Sequence, residues 1–492
     1  MAIVKSSSEK ASSDAVKPKA SSDAIKLYAE TVTVHPRRVR GIFRTIKWWA
    51  MAVLLAFWHL APFLRWDRGP GAPDQMILID LAARRAYFAF IEIWPQEVYY
   101  LTGLLMLAAL TLFLMSALAG RIWCGFLCWQ TVYTDLFVAV ERWIVGDRNA
   151  RIAMERRKGD AEKLMKRGAV TVIWLLIALA CGISFALYFD NAPTLLREIF
   201  DGTAGMGTYT AIGVVGGACF LLAGYAREQV CIYMCPYARF QSAMFDEHSL
   251  IISYEAWRGE PRAPARKGQS FDGRGHCIDC RMCVQSCPTG IDIRDGNQLA
   301  CIGCGLCIDA CNTMMDKHGL PRGLISYDSV VNQLGREKGG ETKFRLVRPR
   351  TIVYAGALAV VGVVMLTALV NRRTVEVNIL HERSPLYVQE RNGDLRNGYT
   401  YKILNMVRRD REFNLRVDGL PGATVMVIGD EDQGSKPELD VAADTVGTFR
   451  VYVTAPQGST KGKATPLYFV LTDKRNGSQL RSEGLFAGPD QE

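Results

Sequence analysis

Fourteen cysteines, all between Cys124 and Cys311, carry most of the chemistry open to this 492-residue sequence. Eight form two runs of identical spacing. Cys277-x2-Cys280-x2-Cys283-x3-Cys287 precedes Pro288, and Cys301-x2-Cys304-x2-Cys307-x3-Cys311 follows. Short spacings hold three thiolates around one face of a cubane cluster, and the distant fourth ligand ties two halves together. Gly303 and Gly305 free the backbone for tight wrapping. Zinc sites favour four ligands in two pairs, a poorer match to these runs. A purely structural cluster also satisfies the spacing, but two adjacent clusters argue for electron transfer. A disulfide framework would scatter cysteines through a small secreted domain. Here the last 181 residues have none, and metal ligation in a reducing compartment fits better. Six histidines are too few for a multi-haem protein.

Four further cysteines form two pairs, Cys124-x3-Cys128 and Cys231-x3-Cys235, the second followed by Pro236. Corresponding members are offset by 107 residues, and each pair follows an uncharged apolar run, so the sequence reads as an internal duplication. On an α-helix, residues i and i+4 share a face with Cβ atoms about 5–6 Å apart. That is wide for a relaxed disulfide but suits two thiolates around a soft ion, Cu(I) or zinc. Met234 and Met244 offer additional soft sulfur, and Pro236 is expected to kink or end its helix, freeing the carbonyl of Ile232. The plain alternative is that these cysteines are small apolar helix residues. Cys181 and Cys219 stand singly within apolar runs and read as core packing. His59 reads as a packed or lipid-interface residue, and His318 as exposed.

Five segments are long and apolar enough to position this chemistry in a bilayer: Trp48–Leu64, Tyr99–Ala119, Ala169–Phe189, Met206–Ala226 and Thr351–Val370. Gly213-x3-Gly217, with Gly207, Gly216 and Gly224, predicts close helix contact in the fourth. Residues 120–168 hold 10 Lys/Arg and residues 227–350 hold 17, against 4 in 65–98 and one, Arg197, in 190–205. Alternate loops are therefore basic, which predicts a cytoplasmic N-terminus, cytoplasmic cysteine-bearing loops and an external C-terminus. The net charge of +10 lies wholly in residues 1–371, because 372–492 balance 17 basic against 17 acidic residues. Basic residues crowded beside apolar spans indicate a membrane surface and not nucleic acid.

The expected order is a basic, disordered tail over 1–40, with its Ser/Ala/Lys/Asp-rich part in 1–25, and a four-span membrane domain over 41–250. A two-cluster ferredoxin-like α/β module over 251–345, a fifth transmembrane helix over 346–371 and an external all-β domain over 372–492 follow. Met76–Trp94, apolar but interrupted by Asp80, Arg84, Arg85 and Glu92, reads as an interfacial element on the outer face. In the last domain, alternating segments Thr374–Leu380, Tyr399–Met406, Phe413–Val417, Thr424–Ile428, Gly447–Thr454 and Leu467–Thr472 are mostly separated by turn signals such as Asn397-Gly398 and Pro421-Gly422. About seven strands are expected, arranged as an immunoglobulin-like sandwich that docks a partner.

The eight-cysteine pattern resembles bacterial two-cluster ferredoxins, in which the fourth cysteine of each run crosses to the other cluster. That resemblance assigns Cys277, Cys280, Cys283 and Cys311 to cluster one, and Cys301, Cys304, Cys307 and Cys287 to cluster two, both [4Fe–4S]. The second run departs from the pattern at Asn312, where proline is expected. Over nearly the whole chain the order of features resembles the FixG/CcoG family of cytochrome c oxidase accessory proteins, membrane-bound polyferredoxins. The resemblance implies a bacterial inner-membrane protein that reduces Cu(II) to Cu(I) for assembly of cbb-type oxidases. Copper would be its substrate, oxidase assembly factors or copper chaperones its partners, and a cytoplasmic donor its electron source. Cys124, Cys128, Cys231 and Cys235 would then form the copper site. A homo-oligomer is compatible with this. The membrane half also resembles quinol-oxidising iron–sulfur subunits, which leaves a quinol-linked ferredoxin as an alternative, and a non-catalytic assembly scaffold as another.

Overall fold

A computed structural model describes residues 33–489 except 70, 267, 341–344, 430–436 and 461. The expected disordered stretch over 1–25 lies outside the described residues. Five helices have the length and hydropathy of membrane spans: Ile42–Phe63, Pro95–Ala119, Ala161–Ala186, Met206–Ala226 and Pro349–Val370. Their apolar side chains are largely exposed, as with Leu105, Val214 and Val363. That is the arrangement lipid rewards and water does not. The first helix begins six residues before the apolar run. Arg44 and Lys47, which hydropathy places outside it, are buried at 7% and 4% exposure against Asp135.

The chain packs as two compact units. One comprises the described residues of Met1–Phe57, Met115–Phe185 and Met206–Leu346. In it the third and fourth spans touch through Gly182 and Gly216. A Cβ on Gly182 would lie 2.5 Å from the Ile212 carbonyl oxygen, and one on Gly216 would lie 2.9 Å from that of Ala178. Gly213 and Gly217 face open space, so the expected Gly-x3-Gly contact is not the one used. The substitute pair works for the same reason, a backbone approach that only a missing side chain permits. Cys181, 1% exposed, lies in the adjoining core with Tyr133, Phe137 and Trp174, and Cys219 packs against that core. Both therefore sit where core packing would put them.

The other unit comprises the described residues of Trp58–Leu114, Ala186–Gly205 and Val347–Glu492. The stretch expected as an interfacial element forms a small antiparallel sheet of β1 (Ile77–Asp80), β2 (Arg85–Phe88) and β3 (Ile91–Ile93). Its charged residues are the reason: Arg85 pairs with Glu92 at 3.1 Å and with Asp444, and Glu92 also meets Arg408 at 2.9 Å. In the first unit, β4 (Ile251–Tyr254) and β5 (Ile325–Asp328) pair antiparallel on either side of the eight-cysteine segment.

The C-terminal region is an immunoglobulin-like sandwich of β6 (Val375–His381), β7 (Val388–Gln389), β8 (Leu395–Asn405), β9 (Arg411–Asp418), β10 (Thr424–Val427), β11 (Glu438–Val441), β12 (Val446–Ala455), β13 (Ala464–Asp473) and β14 (Gln479–Ala487). One sheet runs β10-β12-β8-β6 with β7 beside β8, and the other runs β11-β9-β13-β14. Between them lie fully buried Tyr399, Tyr401, Phe413, Phe469 and Phe486. Two strands beyond the expected seven appear among the described residues. The least legible are β7, only two residues long, and β14, whose Arg481 and Glu483 lie on the edge strand of its sheet.

Candidate metal centre

The eight cysteines are brought together as two sets of four. Cys277, Cys280, Cys283 and Cys311 line one cavity, with Tyr254, Met315 and Ile325 among its other walls. Cys287, Cys301, Cys304 and Cys307 line a second, with Ile252, Ile293 and Ile302; Cys283 borders both. The local backbone explains how each run wraps. In the second, Gly303 and Gly305 take φ of +65° and +72°. In the first, the equivalent positions are Asp279 and Arg281, with φ of +49° and +54°. The two loops thus share one left-handed pattern, and glycine is used only in the second. Arg294 steadies the first loop by pairing with Asp279 at 2.5 Å and Asp292 at 2.6 Å. Burial pushes the Cys283, Cys301 and Cys311 thiols up to about 12. All eight are free of disulfides. Buried soft thiols around apolar hollows suit iron–sulfur clusters, whose ligands surround a body larger than one ion.

The four remaining cysteines occupy a structural repeat. Gly120 and Arg227, 107 residues apart, both have positive φ, +56° and +41°. Each is followed by a five-residue π-turn, Trp123–Leu127 and Val230–Met234. Each turn closes through the second cysteine: Cys128 N–H donates to Trp123 at 2.9 Å and Cys235 N–H to Val230 at 2.8 Å. Helices Trp129–Val145 and Pro236–Met244 then begin. The expectation of an i, i+4 pair on an α-helix is therefore corrected. One cysteine sits in a π-turn and the other, extended, caps the next helix. Pro236 opens a helix, at a first-turn position where its missing N–H costs nothing. π-turns carry unpaired backbone groups and recur at functional sites.

This repeat meets the second cysteine loop directly. Cys124 and Cys231 pack against Ile302, Cys304 and Leu306. A Cβ on Gly125 would lie 2.6 Å from the carbonyl oxygen of Gly303 and 3.0 Å from Cα of Cys304. Arg121, 7% exposed, donates to the Cys301 carbonyl at 3.1 Å and to those of Leu299 and Ala238. The Cys124 thiol donates to Gln241 at 3.2 Å. Thr131 donates to the carbonyls of Cys124 and Cys128 at 2.7 and 2.9 Å. Burial, with the neighbouring thiols, pushes Cys124 and Cys231 up to about 12. A soft cation binding there has protons to displace. Among the described residues no three His, Cys, Asp or Glu side chains converge on a single-ion site. Met234 is 61% exposed. His318, expected exposed, is half-buried, with its ring edge-on to Phe271 at 6.5 Å.

The same loop is held from the first span. Asp309 accepts from the N–H groups of Phe43 and Arg44 at 3.3 and 2.8 Å, a carboxylate at a helix N-terminus. Phe43 lies over Gly305 and beside Tyr327, with ring centroids 5.4 Å apart. Sequence reasoning missed Arg121, Gly125 and Gln241. Gly125 had a signal: its counterpart in the other repeat is Ile232, so only one copy needs a close approach.

Residues 226–330 match the family described as a 4Fe-4S dicluster domain, and residues 101–149 match a 4Fe-4S binding domain. Residues 365–489 match the IG-like fold at the C-terminus of FixG. The nitrogen fixation protein FixG of Rhizobium meliloti is 43% identical over 461 residues, 88% of each chain. The chain belongs to the FixG family. Two other FixG-like relatives come from Cereibacter sphaeroides. RdxB is 43% identical over 94% of this chain and 97% of its own, and RdxA is 46% identical over 91% and 94%. A FixG-related protein from Vibrio parahaemolyticus, of known structure, is 23% identical over 23% of this chain and 96% of its own, with a TM-score of 0.20. This FixG-family chain is thus an iron–sulfur membrane protein with two 4Fe-4S binding domains. The 101–149 match spans the first cysteine pair and the 226–330 match the second, so both repeats fall in regions of that description.

Proposed function

We propose that this protein transfers electrons from iron–sulfur centres to Cu(II), forming Cu(I) for assembly of a cbb-type cytochrome c oxidase. The supporting observation is the backbone contact of Gly125 with Gly303 and Cys304, which sets Cys124 and Cys231 against the second cysteine loop. Cys277, Cys280, Cys283 and Cys311 would hold one cluster, and Cys287, Cys301, Cys304 and Cys307 the other. When bound, [4Fe–4S] clusters supply one-electron chemistry, commonly at low potential. The protein's own part is to bury the eight thiols, to fix the loops through Arg294, Asp309 and Arg121, and to exclude water between loop and repeat. Cys124, Cys128, Cys231 and Cys235 present soft sulfur, which holds Cu(I) better than Cu(II).

The same reading puts the chain in a bacterial inner membrane, with the N-terminus and cysteine loops in the cytoplasm and the β-sandwich outside. Copper chaperones or oxidase assembly factors are its partners. Anaerobic, cluster-replete protein reduced with dithionite should form Cu(I). Replacing Cys231 and Cys235 by Ser should lower copper binding and Cu(I) formation sharply and leave about eight irons per chain, the content of two cubane clusters. Replacing Cys277 and Cys280 by Ser should lower iron and stop reduction while copper binding survives. Normal copper binding and reduction in the first variant would remove that pair from the copper site. Protease outside intact cells should cut the sandwich and spare the cysteine loops; the reverse would overturn the orientation.

A further inference from the structure

A cavity of about 520 Å³ opens at the ends of the third and fourth spans, beside the second cysteine pair. This is the size of pocket that takes a small organic molecule. One wall is apolar and belongs to those spans, with Val170, Trp174 and Tyr225. The other is polar and charged, with His35, Arg151 and Glu155. Three arginines, Arg151, Arg167 and Arg227, face three glutamates, Glu141, Glu155 and Glu228, so the lining is balanced. Glu141 binds Arg151 at 3.1 Å and Arg227 at 3.3 Å. His35 Nε2 lies 2.9 Å from Glu155. His35 and Arg151 are 7% and 1% exposed, yet neither ring nitrogen of His35 nor Arg151 Nε has a hydrogen-bond partner among the described residues, the approach of Nε2 to Glu155 being close but out of line for one.

These features select a ligand. A pyridine nucleotide brings phosphates and calls for uncompensated positive charge; here three arginines meet three glutamates, with Glu141 shared between Arg151 and Arg227. The lining fits an uncharged ring with two oxygens, reached from the apolar side of a membrane boundary. Arg151 brings a donor to this lining and His35 an acceptor, and because Arg151 Nε and His35 Nδ1 lie just behind the cavity surface, a small side-chain rotation is what turns them toward a ring carbonyl and a ring hydroxyl. Arg227 and Glu228 also line a smaller cavity whose other walls include Cys231, Thr289 and Ile302. Ile302 in turn packs with Cys304. The two cavities thus share Arg227 and Glu228, which line the ring site on one side and the cavity bordered by Cys231 and Ile302 on the other.

We infer that this cavity binds the ring of a membrane hydroquinone, the electron donor for copper reduction. The reaction is QH2 + 2 Cu(II) → Q + 2 Cu(I) + 2 H+. Both ring O–H bonds break, the hydroquinone is oxidised to quinone, and each copper gains one electron. One proton passes to the His35–Glu155 pair and the other to Glu228, which lines the same cavity, and both are released to solvent. The inference rests on the proposed copper reading only for the terminal acceptor.

The test uses the full chain in detergent, with decylubiquinol, NADH or dithionite as reductant, and an azido-ubiquinone photolabel as a binding readout. The label should attach to peptides bearing Met154 or Trp174, also in iron-free protein. Thr171→Trp, which fills the cavity, should abolish that labelling and cut decylubiquinol-driven Cu(I) formation at least tenfold. Dithionite-driven formation should persist, which also shows that the variant has folded. His35→Gln should raise the KM for decylubiquinol or lower its kcat without changing the dithionite rate. Labelling elsewhere, unaltered quinol activity in Thr171→Trp, or reduction by NADH but not by decylubiquinol would overturn the site. If wild-type protein forms no Cu(I) even with dithionite, the copper reading fails while the labelling still decides the cavity.

Discussion

Gly125 meets the backbone of Gly303, which leaves no room for a side chain on Gly125, while Gly303 is itself crowded by the backbone of Arg121. A Cβ on Gly125 would fall 2.6 Å from the Gly303 carbonyl oxygen, and one on Gly303 would fall 3.1 Å from the Arg121 carbonyl. This contact joins a membrane cysteine pair to a cysteine loop 180 residues further along the chain.

Gly125→Ala should therefore push the two apart, since a backbone neighbour cannot rotate away as a side chain can. Dithionite-driven Cu(I) formation should slow about tenfold or more, the cost of roughly 1.4 kcal/mol in a rate, while iron content stays unchanged. Gly213→Ala is the control, because nothing lies within 4 Å of its Cβ position. Stopped-flow traces of Cu(I) formation beside iron analysis check this. Equal rates in the two variants would show that the contact does not matter for transfer.

Asp135 anchors the start of the first span. Burial alone would raise its pKa, but Lys47 and Arg44 outweigh that and hold it below the ordinary 3.8. A depressed carboxylate adds stability that is fully present above the unfolded value and is lost as pH falls through the folded one. Asp135→Asn leaves Arg44 and Lys47 buried without a counter-charge, which costs about 3–5 kcal/mol. The unfolding temperature in detergent should drop by the same amount at pH 7 and pH 5. A loss seen only at pH 5 would contradict the sign.

Phe469 lies at the centre of the β-sandwich, fully buried, with its ring 5.1 Å from that of Tyr399 and 5.5 Å from that of Tyr401. Phe469→Ala should destabilise the sandwich by about 3–5 kcal/mol. Limited proteolysis should then cut residues 372–489 at lower temperature. Iron content should not move, because all eight cluster-type cysteines lie in the other compact unit. Loss of iron in this variant would reveal a coupling between the two.

The cysteine spacing and the apolar runs were legible because each follows from local rules, ligand reach in one case and bilayer thickness in the other. The α-helical part of the second span, Tyr99–Ala119, even has the expected limits, with only a short turn over Pro95–Glu97 ahead of it. The π-turns were not legible, since residues four apart look alike whether the turn closes at i+4 or i+5. Nor was the early start of the first span, because hydropathy cannot know that Asp135, about 90 residues away, neutralises Arg44. Asp279 and Arg281 escaped notice for a related reason: their left-handed backbone shows only beside Gly303 and Gly305. The cavity around His35 gathers residues from the N-terminal stretch, two helices, two spans and the turn after the fourth span, a convergence no sequence window contains.

The β-sandwich has no sulfur of its own except in methionine, and its cohesion comes from the aromatic core between its sheets. A protein with fourteen thiols in one stretch of its chain risks scrambled disulfides wherever an oxidising surrounding touches it. Here the portion from residue 312 onward offers an oxidant no thiol to exchange. Its stability does not follow the redox poise of its surroundings, and it can fold without an isomerase for disulfides.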